Sequence, residues 1–171
     1  AAITVALYAG VTPEEIRVAL PLFKGVSRRF DVHAKGDRLI YIDDYAHHPR
    51  EIEASLSSIR EMWPDKRLTV AFQPHLYSRT NDFYPEFAKS LNLADQVILL
   101  DIYPAREQPI PGGTSGLIAD RLTVPFVRVT KEEFPEYVKE NVKEGVFMTV
   151  GAGDIDRFIP IFTEMFGGTD C

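Results

Sequence analysis

The side chains able to do chemistry are concentrated in three short stretches of this chain. Asp43-Asp44-Tyr45-Ala46-His47-His48 brings together two carboxylates, a phenol and two imidazoles. Gln73-Pro74-His75-Leu76-Tyr77-Ser78-Arg79 adds a third imidazole and a guanidinium, and Gly151-Ala152-Gly153-Asp154 sets backbone amides beside a carboxylate. Two chemistries suit these groups. His47, His48 and His75 with Asp44 have the donor types of a zinc or iron site, although the spacing matches no familiar ligand signature and adjacent histidines seldom supply two ligands. Alternatively the stretches form an anion or small-molecule site. Arg79 offers a planar fork that matches a carboxylate, and imidazoles titrating near neutrality exchange protons with an amine. Plainer readings stand beside both. His48, directly before Pro49, caps a helix; Asp43 satisfies backbone amides at a strand end; Arg79 pairs with Asp82 or Glu86. Gly151-Ala152-Gly153 is a tight turn whose amides make only a weak phosphate motif, and His33 packs or faces solvent.

The elements that must carry these stretches follow from periodicity and punctuation. Ala1–Ala9 reads as a helix closed by Gly10. Thr12, Pro13 and Glu15 open a second as N-cap, first helical residue and capping-box partner, running to about Phe23 and ended by Gly25. Ser27-Arg28-Arg29-Phe30 is a basic joint. The period then changes: Phe30–Lys35 and Arg38–Asp43 form a hairpin across Gly36-Asp37. Pro49 starts a helix with Ile52, Leu56, Ile59 and Met62 as one apolar stripe, and Pro64 stops it. Strands at Leu68–Phe72, Val97–Leu100, Phe126–Val129 and Val146–Val150 alternate with helices around Phe83–Leu91, Leu117–Leu122, Lys131–Val142 and Asp154–Phe166. Thr130 and Glu133 form a capping box before the third of these, and a Pro/Gly loop spans Pro104 to Gly113. Short apolar strands separated by helices predict an α/β fold, a Rossmann-like, mostly parallel sheet with flanking helices and an N-terminal antiparallel hairpin. Ligands of such sheets lie beyond the carboxyl ends of the strands, where all three stretches fall.

The 171 residues suffice for one domain, or one domain plus part of a neighbour. With 19 basic against 25 acidic residues the net charge is −6, which gives no basic excess for nucleic acid. No apolar run approaches a bilayer span, so no membrane partner is expected. The single cysteine, Cys171, excludes an intrachain disulfide and points to a reducing, cytoplasmic compartment. Ala1 to Leu7 carries neither a charged leader nor a helix start signal, and reads as the tail of a helix begun upstream. No G-x-x-x-x-G-K-[ST] occurs, and Pro111-Gly112-Gly113-Thr114-Ser115-Gly116 lacks the lysine of a P-loop, so a complete ATPase is not expected.

Phe23-Lys24-Gly25-Val26-Ser27-Arg28-Arg29-Phe30, Asp43 through Pro49, Phe72 through Thr80, and Gly151 through Ile155, taken in order, closely resemble the Mur ligases. The resemblance extends over essentially the whole chain. It implies that residues 1–27 are remnant helices of the family's central ATP-binding domain and that 28–171 are its Rossmann-like C-terminal domain. Within the family the pattern looks most like the branch that adds L-alanine to UDP-N-acetylmuramate through an acyl phosphate in peptidoglycan precursor synthesis. The branch that recycles murein peptides is the nearer rival, and a stand-alone metal- or small-molecule-binding module the more distant one. By resemblance, Arg29 meets the nucleotide phosphates and Asp44 the ribose hydroxyls. Tyr45, His47, His75 and Arg79 line the acceptor amino acid and the carboxyl end of the sugar nucleotide. ATP and magnesium would be held mainly by the central domain, leaving this chain with no cofactor, no metal and no complete catalytic set, and inactive alone. Leu76 and Asn81 depart from the family, standing where basic residues are frequent.

Overall fold

Every residue of Leu39–Asp44 (β2) and Gly145–Val150 (β6) is buried, which only a strand covered on both faces can achieve. The computed structural model describes residues 2–23 and 25–167. Its six strands run in the order β1-β2-β6-β3-β4-β5, with β1 Asp31–Lys35, β3 Leu68–Phe72, β4 Gln96–Leu99 and β5 Phe126–Arg128. Only the β1–β2 hairpin is antiparallel; β2–β6, β6–β3, β3–β4 and β4–β5 are parallel. The expected mostly parallel α/β architecture with its leading hairpin is therefore the observed one.

Side-chain alternation along the strands divides the core in two. Ile40, Ile42, Val70, Phe72, Val146 and Met148 pack beneath helices α3 (Pro49–Met62), α4 (Tyr77–Leu91) and α5 (Gly116–Ala119). On the other face Tyr41, Ala71, Ile98 and Phe147 meet α6 (Phe134–Asn141) and α7 (Ile159–Met165) through Phe134, Val138 and Phe162. The period of two sends neighbouring residues to opposite faces. Asp43 thus faces the α7 side and Asp44 the α3 side, which gives two adjacent carboxylates unrelated partners.

Several helix boundaries differ from the periodicity reading. In α3, Ile52, Leu56 and Ile59 are buried, but Met62 is 56% exposed. At 3.6 residues per turn Met62 lies roughly 80° around the helix from Ile52, off the stripe. Helix α4 begins at Tyr77, six residues before the expected Phe83, and continues through Pro85. Its N-cap position is Leu76, which has no capping side chain. Instead the amide and hydroxyl of Ser78 donate to the carboxylate of Glu107, far along the chain in the Pro/Gly loop. A start signal supplied by another segment is invisible to local reading. The terminal helix opens as a 3-10 turn over Asp154–Phe158 before α7.

At the other end, α1 (Ala2–Tyr8) and α2 (Pro13–Ala19) form with the expected capping box of Thr12 and Glu15, α2 tightening into a 3-10 turn over Leu20–Leu22. Neither helix buries a residue. Tyr8 is 97% exposed, and Val5, Val18, Leu22 and Phe23 also face solvent.

Candidate functional site

The turn after β2 is built around Asp44, whose Oδ1 accepts the Ala46 amide (3.0 Å) and whose Oδ2 accepts the Ser55 hydroxyl of α3 (2.6 Å). Tyr45 is clamped by its own amide, which donates to the Arg28 carbonyl at 2.7 Å. Its ring lies 5.1 Å from the Arg28 guanidinium and 5.6 Å from that of Arg29. The Nδ1 of His47 lies 3.0 Å from the Tyr45 carbonyl. A carbonyl can only accept, so Nδ1 carries a proton. Glu51, one turn into α3, takes the amides of His47 and His48. Burial pushes the Glu51 carboxyl up, but the two amides and the charges of His47 and Arg29 outweigh it and hold the group below its ordinary value.

His48 takes the plainer of its two readings. It forms a capping box with Glu51, accepts the Arg50 amide, and turns its ring to within 5.2 Å of Phe83. It therefore leaves the strand-end edge, where His47 and His75 remain with ring centroids 6.1 Å apart. Among the described residues no group of three or more His, Cys, Asp or Glu side chains is placed to hold a metal ion.

His75 is fixed by the backbone. The Tyr103 amide donates to the Pro74 carbonyl and the Leu76 amide to the Tyr103 carbonyl, and the imidazole stacks on the Tyr103 ring at 5.7 Å. Leu76 adopts φ +73° to make this turn, a left-handed conformation that costs a branched residue on the order of 1–3 kcal/mol. Arg79, in the first turn of α4, brings Nη1 to 3.4 Å from His75 Nδ1. A guanidinium only donates, so Nδ1 is the acceptor. Burial and then the charge of Arg79 lower the His75 pKa from its ordinary value. Arg79 pairs with neither Asp82 nor Glu86: among the described residues no carboxylate lies within ion-pair distance of it.

The third stretch closes the edge by close approach. Gly151 has φ +147° and Gly153 lies so near Gln73 and Tyr103 that a Cβ there would stand 2.4 Å from Gln73 Oε1. Gln73 is fully buried and spans to this stretch, accepting the Ile155 amide and donating to Asp154. Burial raises the Asp154 carboxyl, but Lys131 and Gln73 more than offset it and leave the pKa lowered.

Asp43 does not serve backbone amides. It is fully buried, accepts the Thr149 hydroxyl (2.7 Å), and pairs with Arg28 Nε (3.1 Å). Burial dominates and raises its pKa, against the pull of Thr149 and Arg28. Arg28, treated above only as part of a basic joint, spreads its remaining nitrogens to Asp156 (3.2 Å) and the Gly151 carbonyl (2.7 Å). A carboxylate at the last buried positions of an apolar strand requires a partner, and that requirement was the available signal. Asp101 at the end of β4 pairs with Arg128 and is largely exposed. Arg29 is exposed and, among the described residues, free of any ion pair or side-chain hydrogen bond.

Tyr45, His47, His75 and Arg79 thus share one edge, with Arg29 beside Tyr45. Arg79 is a fork lacking a carboxylate among the described residues, with His75 beside it and His47 beyond His75. The arrangement suits an amino acid, carboxylate to Arg79 and amine toward the imidazoles.

The family described as Mur ligase, glutamate ligase domain, matches residues 28–153. The chain is 51% identical over 162 residues to a UDP-N-acetylmuramate–L-alanine ligase of Phocaeicola vulgatus, covering 94% of this chain and 35% of that protein. A ligase of the same name from Paenarthrobacter aurescens is 48% identical over 169 residues, 98% of this chain and 37% of that one. Among solved structures, a UDP-N-acetylmuramate–alanine ligase from Thermotoga maritima superposes with TM-score 0.75 at 30% identity, covering 96% of this chain and 36% of that one. The chain therefore spans about a third of the length of the relatives it matches.

Proposed function

The chain belongs to the Mur ligase family, and we propose that it is the C-terminal domain of the ATP-dependent ligase joining L-alanine to UDP-N-acetylmuramate in peptidoglycan precursor synthesis in the cytoplasm. The carrying observation is the placement of Arg79, without a carboxylate partner among the described residues, beside the His75 ring that in turn neighbours His47. The 51% identity to a relative bearing that name supports the choice of acceptor.

In the proposed reaction ATP transfers its γ-phosphoryl group to the sugar-nucleotide carboxylate and ADP leaves. The unprotonated alanine amine attacks the acyl carbon, phosphate is expelled, and the nitrogen gives up a proton to solvent as the amide forms. This chain's side chains bind and orient. Arg79 holds the alanine carboxylate through its fork. His47 and His75 line the amine side of the pocket and orient the alanine nitrogen toward the acyl carbon, while Tyr45 walls the pocket toward the sugar nucleotide. Arg29, exposed and unpaired among the described residues, is suited to the nucleotide phosphates. Asp44 offers the ribose hydroxyls whatever lone pairs its two internal hydrogen bonds leave. Magnesium, which commonly takes one or two protein carboxylates together with nucleotide phosphates, would travel with the nucleotide rather than sit in a preformed trio of side chains. The metal and the P-loop are assigned to the central domain, so catalysis here is orientation and charge stabilisation. Residues 1–27 are assigned to that central domain and 28–171 to this one. The exposed apolar faces of α1 and α2, and a family match that begins at residue 28, support this division.

Arg79→Ala in the intact ligase is expected to raise the KM for L-alanine by roughly ten- to a hundredfold, with the KM for ATP changed much less. An unchanged alanine KM would overturn the carboxylate assignment.

A further inference from the structure

Arg28 is the most heavily engaged side chain at the strand-end edge, yet it lies behind the residues that face the ligand. Its backbone and its guanidinium make different bonds, and together they join three segments. The Arg28 amide donates to Asp31 at the start of β1, and its carbonyl accepts the Tyr45 amide beyond β2. The guanidinium meets Asp43 at the end of β2, the Gly151 carbonyl beyond β6, and Asp156 in the 3-10 turn that follows. Asp31, Asp43 and Thr149 are in register across β1, β2 and β6. Thr149 donates to Asp43 and lies 3.1 Å from the Tyr41 hydroxyl. The guanidinium therefore seats in a cradle whose acceptors are themselves fixed by the sheet.

The backbone around it is unusual. Arg28 and Phe30 both take positive φ, +60° and +50°, within a tight turn closed by the Arg29 amide on the Val26 carbonyl. Bulky residues keep such conformations only when their surroundings over-determine them. The turn sends Arg28 inward and leaves Arg29 exposed beside the same tyrosine. Lysine could replace the charge of Arg28 but not its three directions of donation.

We propose that Arg28 is a positioning residue, which bolts the joint at residues 26–30 to the ends of β2 and β6 and so aims Arg29 at the nucleotide phosphates, with Tyr45 held beside it as the pocket wall. The inference rests on the assignment of Arg29 to nucleotide phosphates. It divides the edge into two halves held chiefly by different partners. Arg28 holds the Arg29–Tyr45 half, whereas Tyr103 and Glu107 hold the His75–Arg79 half.

The test is Arg28→Lys in the intact ligase, alone and combined with Asp43→Asn. The KM for ATP is expected to rise about tenfold while that for L-alanine changes less than about twofold. The melting temperature of the intact enzyme should stay within a few degrees. The double variant should show much less than the product of the two single effects, because both changes break one cradle. Equal rises in both KM values, full multiplicativity, or an unchanged ATP KM each overturn the proposal. A second readout does not depend on the ligase reading. In the 171-residue chain, Arg28→Lys should shift the amide resonances of Arg29, Tyr45, Gly151 and Asp156 and leave those of His75 and Arg79 in place. Absence of those shifts overturns the bolt itself. The shifts without any effect on ATP overturn only the role given to Arg29.

Discussion

At the scale of single residues, the neutral form of His75 is favoured by two neighbours acting in the same direction. Burial strips water from the imidazolium, and Arg79 repels it. A nuclear magnetic resonance titration should therefore place the His75 midpoint below its ordinary 6.5. Arg79→Ala should move the midpoint back upward; a wild-type midpoint at or above 6.5 would falsify the account. Because the folded-state pKa is the lower one, the unfolded chain binds more protons in the window below 6.5. The stability His75 contributes is complete above that value and is lost as pH falls. Asp95 and Asp154, also lowered, add losses of the same sign at more acid pH, whereas Asp43, raised by burial, acts oppositely. An enzyme that needs the imidazole as an acceptor gains from this ordering, since neutral pH finds His75 unprotonated.

At the scale of elements, the loop after β6 and the loop after β3 are neighbours only because glycine lets them touch. An alanine at position 153 would put its Cβ 2.4 Å from Gln73 Oε1 and 2.6 Å from Tyr103 Cβ, with no room on either side. Gly153→Ala should cost about 1–3 kcal/mol in denaturant unfolding, in line with other overpacked interiors, and should disturb the Tyr103 ring on which His75 stacks. An unaltered unfolding midpoint would show that the approach is looser than described. The same elements explain what could be read in advance. Continuous apolar runs such as Leu68–Phe72 announce doubly covered strands, and the Thr12–Glu15 box is a signal contained in four residues. Tyr45, His47, His75 and Arg79 reach one edge because strand ends do so in this architecture. Long-range partners were illegible. Glu107 starts α4 from a distant loop, and Arg28 is completed by Asp43, Gly151 and Asp156, so neither has a local pattern. Met62 fails for a geometric reason, since one residue more or less along a stripe rotates a side chain to another face, whereas the cap at His48 was legible from the Pro49 that follows it.

At the scale of the whole molecule, α1 and α2 leave Val5, Tyr8, Val18, Leu22 and Phe23 to solvent, a surface that asks for another body to cover it. The chain alone, supplied with ATP, UDP-N-acetylmuramate and L-alanine, is expected to hydrolyse no ATP. Turnover at roughly 1 s⁻¹ or faster, the lower end of ordinary enzyme rates, would defeat the fragment reading. The strand order has a further consequence. β6 lies between β2 and β3, yet it is the last of the six described strands to be synthesised. Until residue 150 emerges, the nascent polypeptide carries two half-sheets, each with an apolar edge unpaired, and must not let them find each other or a neighbour. Arg28 waits for Gly151 and Asp156 over the same interval, and Asp43 for Thr149. The Arg28 cradle at the ligand edge is therefore assembled by the event that seals the sheet, and truncation anywhere before that strand removes both at once.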